Sequence, residues 1–211
     1  MCSWILQTFS DRSPTLMLTT WKSLVLPILD YCSQLWCPHK KGEIQLIEDV
    51  QKSFTRKIIS CKGKDYWERL QSLHLYSLER RRERYRIIYV WKMLENLVPN
   101  LTTESNEIKS YTTLRHGRRC EIPPITSPAS SRICTIREAS FAVHGARLFN
   151  CLPQHLRNLT NVELPEFKKK LDEFLATVPD EPLSPGYMDI RRTESNSLID
   201  MAQFATIQCE Q

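Results

Sequence analysis

The side chains with the most chemistry to offer are cations. Arg56, Lys57, Lys62 and Lys64 lie within nine residues, and Arg80, Arg81, Arg82 and Arg84 follow in the run Arg80-Arg81-Arg82-Glu83-Arg84. Guanidinium groups meet phosphate oxygens through paired hydrogen bonds and ammonium groups meet them as point charges. Several such residues on adjacent helix faces can therefore hold a sugar-phosphate backbone with little regard for base sequence. Between Lys52 and Lys92 there are twelve Lys and Arg against four Asp and Glu, a balance of +8 in a chain of net charge +5, which leaves −3 elsewhere. A merely solvated helix face usually mixes the two signs. These eight cations are the candidate nucleic-acid-binding residues. Tyr66, Trp67 and Tyr76 lie between the two groups and read equally as base-stacking rings or as core.

Catalytic chemistry finds less support. Cys32-x4-Cys37-x-His39 and His116-x3-Cys120 contain zinc-ligand types. Zinc sites favour tighter cysteine knuckles on loops, however, and Cys32 falls in an apolar helical run where a thiol reads as a small buried hydrophobe. Cys151 and His155 are near in sequence, but no nucleophile elbow or similar signature accompanies them. Five glycines leave no phosphate-cradling loop, and no Asp-Asp pair points to two-metal chemistry. No catalytic residue, metal site or cofactor is expected.

The elements that must carry the cations are helical. Ser13-Pro14 supplies an N-cap and a first-turn proline, and Leu16, Met17, Trp21, Leu24 and Val25 recur at helical spacing. Pro27 predicts a kink, an apolar surface continues through Ile28, Leu29, Tyr31, Leu35 and Trp36, and Pro38 predicts a stop. From Glu43, the steps Ile44, Ile47, Val50, Phe54, Ile58 predict a second helix; Asp65 to Leu73 predicts a short third. Ser77 then caps a long helix with Leu78, Tyr85, Ile88, Trp91 and Leu94 as its buried stripe. After Pro99 the composition turns to Thr, Ser, Pro and Arg, with the breaker pair Pro123-Pro124. Tyr111 to Leu114 and Arg132 to Arg137 are the pieces expected to pair as a small β-hairpin. Two more helices follow, one on Phe141, Gly145, Leu148, Phe149 and Leu152, the other on Phe167, Leu171, Phe174 and Leu175 after Pro165; a loose tail begins at Pro179.

With 211 residues, 41% hydrophobic and 25% charged, the chain is large enough for one sizeable core or two small ones. Its start, Met-Cys-Ser-Trp-Ile-Leu-Gln-Thr, has no basic segment ahead of an apolar one, so an intracellular, reducing location, cytoplasmic or nuclear, is expected for the eight cysteines. The Asn100 and Asn158 sequons then read as chance. The apolar stretch around Leu24 to Leu29 is far shorter than the roughly 20 residues of a spanning helix, so no membrane partner is expected.

One segment carries a resemblance. Trp21-Lys22-Ser23-Leu24-Val25-Leu26-Pro27-Ile28-Leu29-Asp30-Tyr31-Cys32-Ser33-Gln34-Leu35-Trp36 resembles the stretch that follows the polymerase palm in non-LTR retrotransposon reverse transcriptases of the jockey-like, LINE type. Leu46 to Ile58, Tyr66-Trp67-Glu68-Arg69-Leu70 and Ser77-Leu78-Glu79-Arg80-Arg81-Arg82 continue the same order of features. Phe141 to Pro153 and Phe167 to Pro182 are similar to the family's carboxy-terminal module, so the resemblance covers roughly Trp4 to Tyr187. It implies a mainly α chain: a thumb-like basic lobe over 1–100, a linker and hairpin region over 101–131, a helical module over 132–178 and a flexible tail over 179–211. It also implies an RNA or DNA backbone as partner, with the palm of a full-length enzyme as a second. Magnesium would belong only to that absent palm, so the chain alone is expected to be inactive, as a truncated copy of an element would be. Two other readings accompany this one. One is a protein-interaction module whose basic helix meets an acidic partner, with Trp21, Trp36 and Trp91 as anchors; the other is a remnant without function.

Overall fold

The computed structural model describes residues 1–34, 36–38, 40–98, 108–123, 136–182 and 196–201. Its fold is mainly helical with one two-stranded antiparallel sheet. Within the described residues, 1–82 with 180–182 form one compact unit, and 83–179 with 196–201 form another. The division falls inside a helix and does not coincide with the change of composition after Pro99. The linker over 101–107 and 124–131, Leu35, His39 and the tail over 183–195 and 202–211 lie outside the described residues.

The first unit opens with α1 (Cys2–Thr8) and α2 (Pro14–Thr20), the latter entered from Ser13 with Pro14 at its first turn. The chain then widens into a π turn over Trp21–Val25 and runs on as α3 (Leu26–Asp30). A wider turn is a physical answer to Pro27, whose missing N–H and bulky ring disturb the regular ladder. The predicted helical surface ends at Asp30 rather than at Pro38: Tyr31 leaves the helix with ψ 126°, and Cys32 takes φ +52°. Cys32 is thus a half-buried turn residue, not part of an apolar helix. Next come α4 (Lys41–Thr55), a 3-10 turn over Ile59–Cys61, α5 (Tyr66–Leu73) and the start of α6 (Leu78–Leu94). Their apolar faces meet in a core of Ile5, Met17, Trp21, Val25, Leu26, Phe54, Ile58, Cys61, Leu73 and Leu78, with the Trp21 and Phe54 rings 4.8 Å apart.

The second unit holds the rest of α6, the strands β1 (Ser110–Thr113) and β2 (Gly117–Cys120), and the helices α7 (Phe141–Asn150), α8 (Gln154–Arg157) and α9 (Leu164–Thr177). Trp91 stacks on Phe167 at 4.5 Å and donates its indole N–H to the Leu159 carbonyl. Around them Val143, Leu148, Phe149, Leu156, Leu171 and Leu175 are buried.

The hairpin departs from the sequence expectation. β1 pairs with Gly117–Cys120, with Tyr111 opposite Arg119; of the proposed second strand, residues 136 and 137 are helical and 132–135 lie outside the described residues. Two strands alone are marginal, and this pair is pinned by side chains. Asn150 exchanges two hydrogen bonds with the Cys120 backbone (2.8 and 2.9 Å), and Arg157 donates to the Arg118 carbonyl at 2.7 Å. The turn needs Gly117. Its φ is +65°, and a Cβ there would press on the Asn158 amide and stand 2.9 Å from Gln154 Cγ. Gly117→Ala is expected to cost about 1–2 kcal/mol; an unchanged urea midpoint would remove this account of the turn.

No helix among the described residues is long and apolar enough to cross a membrane.

Candidate nucleic-acid interface

The eight cations singled out by the sequence part into two groups. Arg56, Lys57, Lys62 and Lys64 are all exposed. They sit on the connection from α4 to α5, whose path is set by its apolar residues. Arg56 ends α4, the N–H groups of Lys57 and Ile58 bond back to Phe54 and Thr55, and Ile58 and Cys61 are buried in the core. Anchoring at 58 and 61 turns Lys57 and Lys62 outward. Gly63, at φ +78°, reverses the chain, and Asp65 starts α5 with a capping box in which Asp65 N–H donates to Glu68 Oε2 at 2.9 Å. The Ile59 N–H donates to the Arg12 carbonyl and ties the connection down at its middle. Among the described residues, none of these four cations pairs with a carboxylate.

The α6 arginines are placed differently. Arg80 and Arg82 are 1% and 3% exposed. Arg80 Nε lies 3.7 Å from Asp180 Oδ1, and Arg82 donates to the Leu29 carbonyl at 3.3 Å, its guanidinium over the Trp36 ring. Arg81 Nε bonds Asp30 at 2.9 Å. Within the second unit, Arg84 grips Asp172 with two nitrogens, and Arg86, also buried, meets His144 Nδ1 at 2.8 Å. This run therefore serves the interior of the fold, and a phosphate could reach Arg80 and Arg82 only by displacing their present surroundings. Tyr66 and Trp67 are also buried, with their rings 5.0 Å apart and the Tyr66 hydroxyl donating to Glu48, which excludes them as base-stacking rings in this conformation.

Glu48 is a buried structural residue that the sequence did not disclose. Buried in α4, it accepts the Tyr66 hydroxyl, and its Oε1 and Oε2 accept the Leu78 N–H at 3.2 and 3.0 Å, so that it caps α6 from another element. Burial pushes its carboxyl up to about 7 against the pull of those two donors, and Asp180 and Glu79 push the same way. Burial likewise raises the Tyr66 hydroxyl, with the Glu48 charge adding to it. Asp180 caps the same helix start, accepting from Ser77 N–H at 2.6 Å and Ser77 Oγ at 2.7 Å. In the second unit burial pushes the thiols of Cys120 and Cys151 up to about 12 and about 11, so neither is a ready nucleophile at neutral pH.

No protein-family model matches the chain, and no curated protein and no solved structure is significantly similar to it. The identification with retrotransposon reverse transcriptases, and the reading of the first lobe as a polymerase thumb, are corrected accordingly. No comparison places the chain there, and among the described residues no group of three or more His, Cys, Asp or Glu is set to hold a metal ion.

Proposed function

We propose that the chain binds nucleic acid by its sugar-phosphate backbone, through Arg56, Lys57, Lys62 and Lys64 on the α4–α5 connection. The observation that carries this reading is the contrast between the two cation groups. The α6 arginines are closed off by burial and by the chain's own carboxylates, whereas the four on the connection face solvent with no carboxylate paired to them among the described residues. Like charges within nine residues repel one another, and a polyanion relieves that repulsion while releasing its own counterions. Recognition of this kind is indifferent to base sequence and steep in salt. The same contrast weakens the acidic-protein reading, because the basic helix it needs already has Asp30, Asp172 and Asp180 as partners.

The test is fluorescence anisotropy of labelled single- and double-stranded oligonucleotides titrated with the full chain, repeated across a salt series beginning near 50 mM. Lys62→Glu with Lys64→Glu should weaken both ligands severalfold or more and reduce the magnitude of the log–log salt slope by roughly 1.5–2. Circular dichroism should stay unchanged, since both positions are exposed. A folded wild-type chain that binds neither ligand at the lowest salt would overturn the reading.

A further inference from the structure

Resting on that reading, we propose that Tyr31 and Trp36 form a stacking platform for the bases of a single strand. Tyr31 is 74% exposed and Trp36 43% exposed, so neither earns its place by burial. They are nonetheless held together. The Trp36 indole N–H donates to the Tyr31 carbonyl at 2.8 Å and the Trp36 backbone N–H donates to the Cys32 carbonyl at 3.1 Å, across the turn in which Cys32 adopts φ +52°. The indole's single polar atom is consumed by this turn, which leaves the ring nothing to offer but its π surface. From the protein side, the Arg82 guanidinium lies 5.0 Å from the ring centroid and is itself buried and tied to the Leu29 carbonyl. A fixed cation against an indole withdraws electron density from it, which favours an electron-rich ring on the exposed part. A nucleobase is such a ring.

Charge complementarity selects the occupant. An apolar peptide would be served by the aromatics alone, but residues 1–82 with 180–182 carry thirteen Lys and Arg against ten Asp and Glu, a net +3. Lys40 and Lys41, four and five residues after Trp36, are exposed, as is Lys22, with Lys40 also 3.8 Å from the exposed Glu43 carboxylate. The carboxylate of Asp30, one residue before Tyr31, is taken up by Arg81. Bare rings in a positive surround fit a strand that brings both bases and phosphates. A duplex keeps its bases stacked internally and has none to give, so the platform predicts a preference for single strands.

The experiment compares three labelled probes of equal length by anisotropy: a single strand with bases, an abasic single strand and a duplex. The wild-type chain should bind the base-bearing strand roughly 5- to 100-fold more tightly than the abasic one. Tyr31→Ala and Trp36→Phe, singly and together, should erode that ratio towards one while leaving affinity for the abasic strand and its salt slope unchanged. The Lys62→Glu, Lys64→Glu chain should weaken both single strands alike and keep the ratio. Tyr31→Ala alters a mostly exposed ring, and Trp36→Phe retains an aromatic ring, so folding survives at least one of the two. Stacking should also quench tryptophan emission in the wild type and not in Trp36→Phe. Equal wild-type affinity for base-bearing and abasic strands overturns the platform and leaves the backbone grip standing, whereas no binding to any probe overturns both. An unchanged ratio in the double variant also overturns it.

Discussion

Arg80→Glu is expected to cost more than about 4 kcal/mol of stability, a large share of the roughly 5–15 kcal/mol margin of an ordinary chain. Arg80 is 1% exposed, and its Nε stands 3.7 Å from Asp180. Asp180 also accepts both donors of Ser77, and the buried carboxyl of Glu48 accepts the Leu78 N–H beside them. Reversing the charge would set a third carboxyl among these two in place of the Arg80 cation, with little water to screen them. Arg80→Met separates the electrostatic part from the packing part. It keeps an unbranched side chain in the interior and leaves Asp180 with its Ser77 donors, so its cost should be smaller, about 3 kcal/mol, the lower end of what losing one partner of a buried pair costs. Urea denaturation of the three chains measures this order. The folded Met variant also bears on function. With Arg80 out of reach of a phosphate, its affinity for oligonucleotides and its salt slope should equal those of the wild type. A loss of affinity at intact stability would return the α6 run to the binding surface.

That run shows where sequence reasoning stops. A count of cations along α6 registers their charge and not their partners, and the partners lie far off in the chain: Asp30 for Arg81, Asp172 for Arg84, Asp180 for Arg80. No local pattern announces such pairings. What the helix does display is a first half, Leu78 to Arg86, that is polar almost all round, and it carries buried Arg80, Arg82, Glu83 and Arg86 beside Leu78. A helix without a clean apolar stripe belongs to solvent only if nothing else claims its charges. Elements with local signals were legible. Ser77 accepts the Arg80 N–H at 3.1 Å as an N-cap should, Asp65 and Glu68 form a capping box, and Phe167, Leu171 and Leu175 bury the face of α9 that their spacing assigns. The hairpin was half legible. β-propensity finds β1 but passes over Gly-Arg-Arg-Cys, whose pairing depends on the positive φ of Gly117 and on Asn150, thirty residues away. Tyr31 was legible only as an apolar residue and Trp36 only as that or as an interface anchor, since the turn that exposes them arises where the helix ends early.

Opposed titrations of Glu48 and His144 should leave wild-type stability nearly flat where either alone would tilt it. The Glu48 carboxyl rises from 4.5 to about 7, mainly through burial. The folded state then holds its proton more tightly than the unfolded chain does, so this contribution is fully present below pH 4.5 and is lost as pH rises through 7. His144 falls from 6.5 to about 4, through burial first and then the neighbouring charges of Arg86 and Arg147. Its contribution is present above pH 6.5 and is lost as pH falls through 4. Each shift corresponds to about 3 kcal/mol, and the two slopes have opposite sign between pH 4.5 and 6.5. Glu48→Gln keeps an oxygen to accept the Tyr66 hydroxyl and the Leu78 N–H but cannot ionise. Relative to the wild type it should be more favourable at pH 8 than at pH 4, by about 3 kcal/mol. His144→Asn retains an acceptor for the Arg86 Nη1 contact seen at 2.8 Å, and should show the opposite difference of similar size. Urea denaturation from pH 4 to 8 reads both. If the two units melt separately, the Glu48 effect should appear in the transition of the first and the His144 effect in that of the second. Parallel profiles for wild type and variants would mean that neither group is held in the protonation state that its burial imposes.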